Sequence, residues 1–153
     1  MTEIKRTTGE KIGVSIENLN TIVIGELDLH RADFSGACLK KLSFDGVAMR
    51  NAEFRGVDVT DCSFDRTNSI LASFRGAALF NCRFVGARLR YADFSGAVLR
   101  NVNFDGADLT EAKFNGADVE GSTFIGARAT STDFEGCNIS ESQRRLFSED
   151  GVK

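Results

Sequence analysis

Along most of this chain one apolar centre recurs every five residues, and every second centre is a phenylalanine. Phe34, Phe44, Phe54, Phe64, Phe74, Phe84, Phe94, Phe104, Phe114, Phe124 and Phe134 stand ten residues apart without a slip. Midway between them runs a second series, Leu39, Met49, Val59, Ser69, Leu79, Leu89, Leu99, Leu109, Val119, Ala129 and Ile139. Most centres follow, by two residues, a small side chain such as Ala32, Ala37, Ala52 or Ala72. A period of five suits no straight element, because residues five apart point to opposite faces of a strand and lie roughly 140° apart on an α-helix. Only a chain that turns once per five residues can send every centre inward, and such a chain is a solenoid.

The polar positions agree. Ten of the eleven Phe units carry glycine two residues after the Phe, from Gly36 to Gly136, and Arg66 is the exception. Glycine there predicts a positive φ, as the third residue of a type II turn requires. The leucine-type units mostly carry Asn, Lys, Asp, Glu or Ser at the same place, which predicts a different turn at those corners.

Ala32-Asp33-Phe34-Ser35-Gly36 and Ala107-Asp108-Leu109-Thr110-Glu111 resemble the consensus of the pentapeptide-repeat family. The resemblance runs from Leu27 to Glu141, and more loosely back to Ile12 around a break at Glu17. It implies an all-β fold, a right-handed quadrilateral β-helix with four pentapeptides per coil. The alternation of ten supports four sides independently, since twenty residues per coil stack Phe on Phe along two opposite walls, whereas three sides would mix the series. The expected organisation is a flexible segment over 1–11, a solenoid of about six coils over 12–141, and a cap and tail over 142–153. At roughly 4.8 Å per coil the rod is near 28 Å long.

Repeat rods need atypical ends, because open coils expose strand edges and core faces. Ser140-Glu141-Ser142-Gln143 has the form of a capping box and predicts a short C-terminal helix. Leu146 and Phe147 then have two readings, a lid over the last coil or a contact joining two rods. Because several relatives dimerise through their C-terminal ends, the resemblance allows a monomer or an end-to-end homodimer.

Composition adds exclusions. With 42% hydrophobic residues in 153, one narrow core can be filled, and the absence of proline suits strands that share hydrogen bonds on both sides. No apolar run reaches signal-peptide or membrane-spanning length, so the expected compartment is the cytoplasm. Cys62, Cys82 and Cys137 occupy small inward positions and Cys38 faces outward, which reads as free thiols in a reducing compartment; a Cys62 to Cys82 disulfide is the alternative. The single histidine, His30, reads as a solvated residue without a ligand partner. Outward serines on convex walls have no base or oxyanion hole, so no catalytic residue, metal or cofactor is expected.

Function must then lie in ladders of outward side chains. One wall collects Arg50, Ile70, Leu71, Arg88, Arg90, Tyr91 and Arg128, and it contains the largest break in the repeat, Thr67-Asn68-Ser69-Ile70-Leu71. That break reads either as local repacking or a small bulge, or as part of a recognition patch. Another wall carries an acidic column, Asp33, Glu53, Asp93 and Asp133, interrupted by Lys113. Charge is also uneven along the rod: Arg75 to Arg100 holds five bases and one acid, Asp105 to Glu141 eight acids and two bases, within a total of −3. Wholesale nucleic-acid or membrane binding is not expected. The preferred reading is a rigid, non-catalytic module for protein interaction. The family resemblance implies an alternative, a DNA mimic of the quinolone-resistance kind acting on DNA gyrase or topoisomerase IV.

Overall fold

The computed structural model describes residues 3–15, 19, 24 and 27–147. Its pairing proceeds in steps of twenty. Strands β4 (Cys38–Lys40), β5 (Asp58–Thr60), β6 (Ala78–Phe80) and β7 (Val98–Arg100) form a parallel sheet in which Leu39 lies beside Val59, Val59 beside Leu79 and Leu79 beside Leu99. On the other walls single bridges keep the same step, as in Asp33 to Glu53, Ser63 to Arg83 and Arg88 to Asp108. The chain is a right-handed quadrilateral β-helix, and its walls are identified below by Phe34, Leu39, Phe44 and Met49.

The phenylalanines of the ten-residue register, from Phe34 to Phe124, are fully buried. Within a column the rings stack at 4.7–5.3 Å between centroids, and between the two columns they meet edge-on at 5.5–6.3 Å. Both arrangements place ring edges and faces favourably, worth about 0.5–1.5 kcal/mol per pair beyond area burial. Coil spacing and ring stacking distance thus coincide, so a flat ring on every coil fills the axis without a gap.

The corners differ from expectation. Positive φ is not confined to the glycine corners: Asn51 (57°), Asp61 (55°), Asn81 (54°) and Glu111 (57°) adopt it alongside Gly86 (64°). Corners on the Met49 wall close with the same bond as the Phe corners, for example Ala92 N–H to Leu89 C=O at 3.0 Å and Ala87 N–H to Phe84 C=O at 3.1 Å. The different turn predicted for the leucine-type units is found on the Leu39 wall, and not at its Val119 corner, where the Ser122 N–H bonds the Val119 carbonyl at 3.0 Å. At the Leu39 and Leu99 corners a side chain from the next coil takes the freed N–H: Cys62 Sγ accepts from Leu42 at 3.4 Å, and Ser122 Oγ accepts from Val102 at 3.0 Å.

The segment 1–11, expected to be flexible, instead supplies strand β1 (Glu3–Arg6), and strand β2 (Lys11–Ser15) lies where the solenoid was expected to begin. The two form an antiparallel hairpin, and β1 also pairs antiparallel with β3 (Ala32–Asp33). The reason is the open edge of the first coil: β1 covers it, inserts the fully buried Ile4, and ties Arg6 to the His30 carbonyl and the Asp28 carboxylate. His30 is half-buried rather than solvated, and its Nδ1 accepts the Arg50 N–H at 3.2 Å. The looser register expected around Glu17, and the tail over 148–153, lie outside the described residues.

At the other end, α1 (Glu141–Arg144) starts with the expected capping box. Ser140 Oγ accepts the Gln143 N–H at 3.2 Å, and Gln143 Oε1 accepts the Ser140 N–H at 2.8 Å. The same Gln143 amide donates to the carbonyls of Val119 (3.2 Å) and Ser122 (2.9 Å). Phe147 then lies 5.5 Å from both Phe124 and Phe134, closing the aromatic columns. Phe147 is buried against the last coil of its own chain, and Leu146 is exposed.

Candidate functional site

On the Met49 wall the register runs through the break without a bulge. Asn68 N–H bonds the Val47 carbonyl, Ser69 N–H the Arg88 carbonyl and Leu71 N–H the Arg90 carbonyl, at 2.9–3.0 Å. Ser69 points inward where its column elsewhere has Met49 or Leu89. Its hydroxyl donates to Thr67 Oγ1 at 3.0 Å, and Thr67 donates to the Phe64 carbonyl at 2.9 Å, so both buried hydroxyls are satisfied. With Ser69 fixed inward, Ile70 and Leu71 must occupy the outward corner.

Leu71 (49% exposed) and Tyr91 (42% exposed) therefore sit at the same corner of successive coils. Their φ values are 62° and 61°, the left-handed region where a bulky side chain costs about 1–2 kcal/mol. Asn51, one coil earlier in the column, is the kind of residue that adopts it cheaply. The Arg90 guanidinium lies 5.8 Å from the Tyr91 ring centre, and Tyr91 Oη donates to Glu111 Oε1 at 3.1 Å. Ile70 beside them is half-buried.

Four arginines of the other walls are paired. Arg55 pairs with Glu53, Arg75 with Asp93, Arg83 with Asp65, and Arg100 with both Asp118 and Glu120. Arg50, Arg88, Arg90 and Arg128 are exposed, and among the described residues none of the four has a carboxylate partner. Asp108 stands between Arg88 and Arg128 in their ladder, but its carboxylate accepts the Thr110 N–H at 3.1 Å and hydroxyl at 2.6 Å instead. The seven residues read from sequence are thus brought to one wall, with a continuous strained apolar corner and unneutralised positive charge.

The acidic column is also assembled as one ladder, from Asp33 through Glu53, Ser73, Asp93 and Lys113 to Asp133. Much of its charge serves the corners. Asp33, Asp93 and Asp133 each accept the backbone N–H two residues later, at 2.9–3.0 Å. Burial pushes the Asp93 carboxyl up, but the Ser95 hydroxyl and N–H and the Arg75 guanidinium outweigh it and hold the group below its ordinary value. Asp133 is held low by the Asn115 amide and the Glu135 N–H. The recurrent Asp or Asn before each centre thus has a local structural cause, an Asx turn at the corner.

Sequence reasoning missed Phe80 and Ile125, which are 39% and 57% exposed on the Leu39 and Phe44 walls. Phe80 was detectable as the phenylalanine that breaks the register of ten. The four cysteines are free thiols. Burial pushes the Cys62 and Cys137 thiols up and drives Cys82 to about 12. Among the described residues no cluster of three His, Cys, Asp or Glu side chains is placed to hold a metal ion, and no helix is long and apolar enough to cross a membrane.

A family model for the pentapeptide repeat region matches residues 37–114 and 60–144. No curated protein matches the chain. Similar solved structures include a pentapeptide repeat protein of the Arabidopsis thaliana thylakoid lumen, at 27% identity over 72% of this chain and 74% of that one, TM-score 0.37. HetL, involved in heterocyst differentiation regulation in the cyanobacterium Nostoc sp. strain PCC 7120, is 22% identical over 72% and 78% of the two chains, TM-score 0.36. The plasmid-mediated fluoroquinolone resistance protein QnrB1, as a trypsin-treated single-residue variant, is 25% identical over 70% of this chain and 65% of that one, TM-score 0.35.

Proposed function

The chain belongs to the pentapeptide repeat family, and from that premise we propose that it is a non-catalytic, rigid interaction module whose protein partner is read by the Met49 wall. The observation that carries this reading is the pair Leu71 and Tyr91, two exposed bulky side chains held at left-handed φ on adjacent coils. Lys41, Arg66 and Glu111 share this corner φ, so what sets the pair apart is a bulky, largely apolar side chain left exposed on it. Around the pair, Arg50, Arg88, Arg90 and Arg128 supply unneutralised donors, and Tyr and Arg are the side chains that most often dominate binding energy. Free, buried thiols favour a reducing compartment, and the cytoplasm is the compartment assigned here. The test is affinity capture from the source cell with the native chain and with the Leu71→Asn/Tyr91→Asn double variant. A partner held by the first and lost by the second supports the reading, while equal capture by both puts the contact elsewhere.

The second reading is a DNA mimic acting on gyrase or topoisomerase IV, and the excess of eight acids over two bases between Asp105 and Glu141 favours it. Against it stands the neutralisation of acids by Arg75, Arg83 and Arg100 on their own walls. Supercoiling assays with and without a quinolone separate the two: inhibition or protection at stoichiometric protein would replace the first reading by the second.

A further inference from the structure

Resting on that reading of the Met49 wall, we infer that its partner presents an acidic amphipathic helix, laid along the rod axis, with carboxylates bracketing aliphatic anchors. Charge complementarity is the first argument. Among the described residues four arginines on this wall have no carboxylate partner, while Arg55, Arg75, Arg83 and Arg100 of the other walls find theirs within the chain. Carboxylates from outside are the groups that complete them.

Spacing is the second argument. Arg50 and Arg90 stand in one column two coils apart, and so do Arg88 and Arg128. With coils about 4.8 Å apart, each pair spans about 9.6 Å along the axis. Residues i and i+7 of an α-helix are on one face and about 10.5 Å apart, a difference that long arginine side chains absorb. An extended strand repeats a face about every 6.8 Å and matches neither one coil nor two. Leu71 and Tyr91, one coil and about 4.8 Å apart along the axis, match side chains three residues and about 4.5 Å apart, at i+3 and i+6 between the two acids.

Nucleic acid fits less well. Leu71 and Ile70 have nothing to bind on a phosphate backbone, Glu111 stands at the same corner, and the chain as a whole carries −3. A second copy seated wall to wall and centred on Leu71 and Tyr91 would bring its own Arg88 and Arg90 against those of the first.

The test is fluorescence anisotropy with the full chain and three labelled probes: a synthetic helix with glutamates at i and i+7 and leucines at i+3 and i+6, the same composition scrambled, and a DNA duplex. The inference predicts binding of the patterned helix at least about tenfold tighter than the scrambled peptide. It predicts a loss of about tenfold or more in both Arg88→Ala/Arg90→Ala and Leu71→Asn/Tyr91→Asn, with Arg75→Ala unchanged. Equal binding of the two peptides, absence of binding, or preference for the duplex overturns it. If the helix fails while capture from cells is still lost in the Leu71→Asn/Tyr91→Asn variant, the wall remains the interface and only the partner's chemistry is wrong.

Discussion

The Ser122 hydroxyl mends an open corner one coil away: it accepts the Val102 N–H at 3.0 Å and donates to the Leu99 carbonyl at 2.7 Å. Both backbone groups are inside the rod, so Ser122→Ala leaves a donor and an acceptor without partners. The expected cost is about 1–3 kcal/mol by urea unfolding. Ser122→Cys should recover part of it, since Cys62 accepts the equivalent N–H of Leu42. Equal stability of all three proteins would show that water satisfies this corner.

Phe84 stacks between Phe64 and Phe104 at 4.7 and 5.3 Å. Its neighbours are held by coils above and below and cannot collapse into the space it leaves. Phe84→Ala should cost about 3–5 kcal/mol, whereas Arg90→Ala on the outer wall should cost well under about 1 kcal/mol. Comparing chemical unfolding midpoints at a common slope checks both.

Thiol chemistry should separate Cys38 from the rest. Cys38 is exposed, Cys62 and Cys82 are buried, and Cys137 is half-buried with its thiol pushed up by burial. In native buffer near neutral pH one cysteine should react promptly with a disulfide reagent, and the other three only on unfolding. Prompt reaction of Cys82, whose thiol lies at about 12, would mean that the coil around it opens readily.

Acid should weaken the fold in a defined window. Asp93, Asp118 and Asp133 all have folded pKa values below the ordinary 3.8, so folding favours their charged forms. Asp118 is held low by the Asn138 amide, the Glu120 N–H and the Arg100 guanidinium. The stabilisation is complete above the unfolded value and is lost as pH falls through the folded ones. Melting temperature should be level from about pH 7 to 5 and decline below about pH 4. A decline centred near neutrality would show that groups other than these three aspartates govern the response to acid.

The fold was legible because a period of five admits so few solutions, and because a phenylalanine every ten residues distinguishes the walls. The N-terminal hairpin was not legible. In Glu3–Arg6 only Ile4 faces the core, and a single apolar residue among charges carries no period. Turn chemistry was half-read: glycine marked one set of corners, but Asp61 and Asn81 reach the same φ with side chains that tolerate it. The residues of the Met49 wall were found by counting outward positions. What counting could not show was which arginines are neutralised, since Arg75, Arg83 and Arg100 reach acids eighteen residues on or back, diagonally across coils.

The central claim is that Leu71 and Tyr91 place exposed bulky side chains at corners the fold makes left-handed, for the sake of a partner. Its most direct measurement is the melting temperature of the Leu71→Asn/Tyr91→Asn variant beside capture of the partner. Asparagine relieves the backbone at both corners, so the account predicts an unchanged or raised melting temperature together with lost capture. A melting temperature lowered by several degrees with capture intact would make the two side chains part of the scaffold and contradict the account.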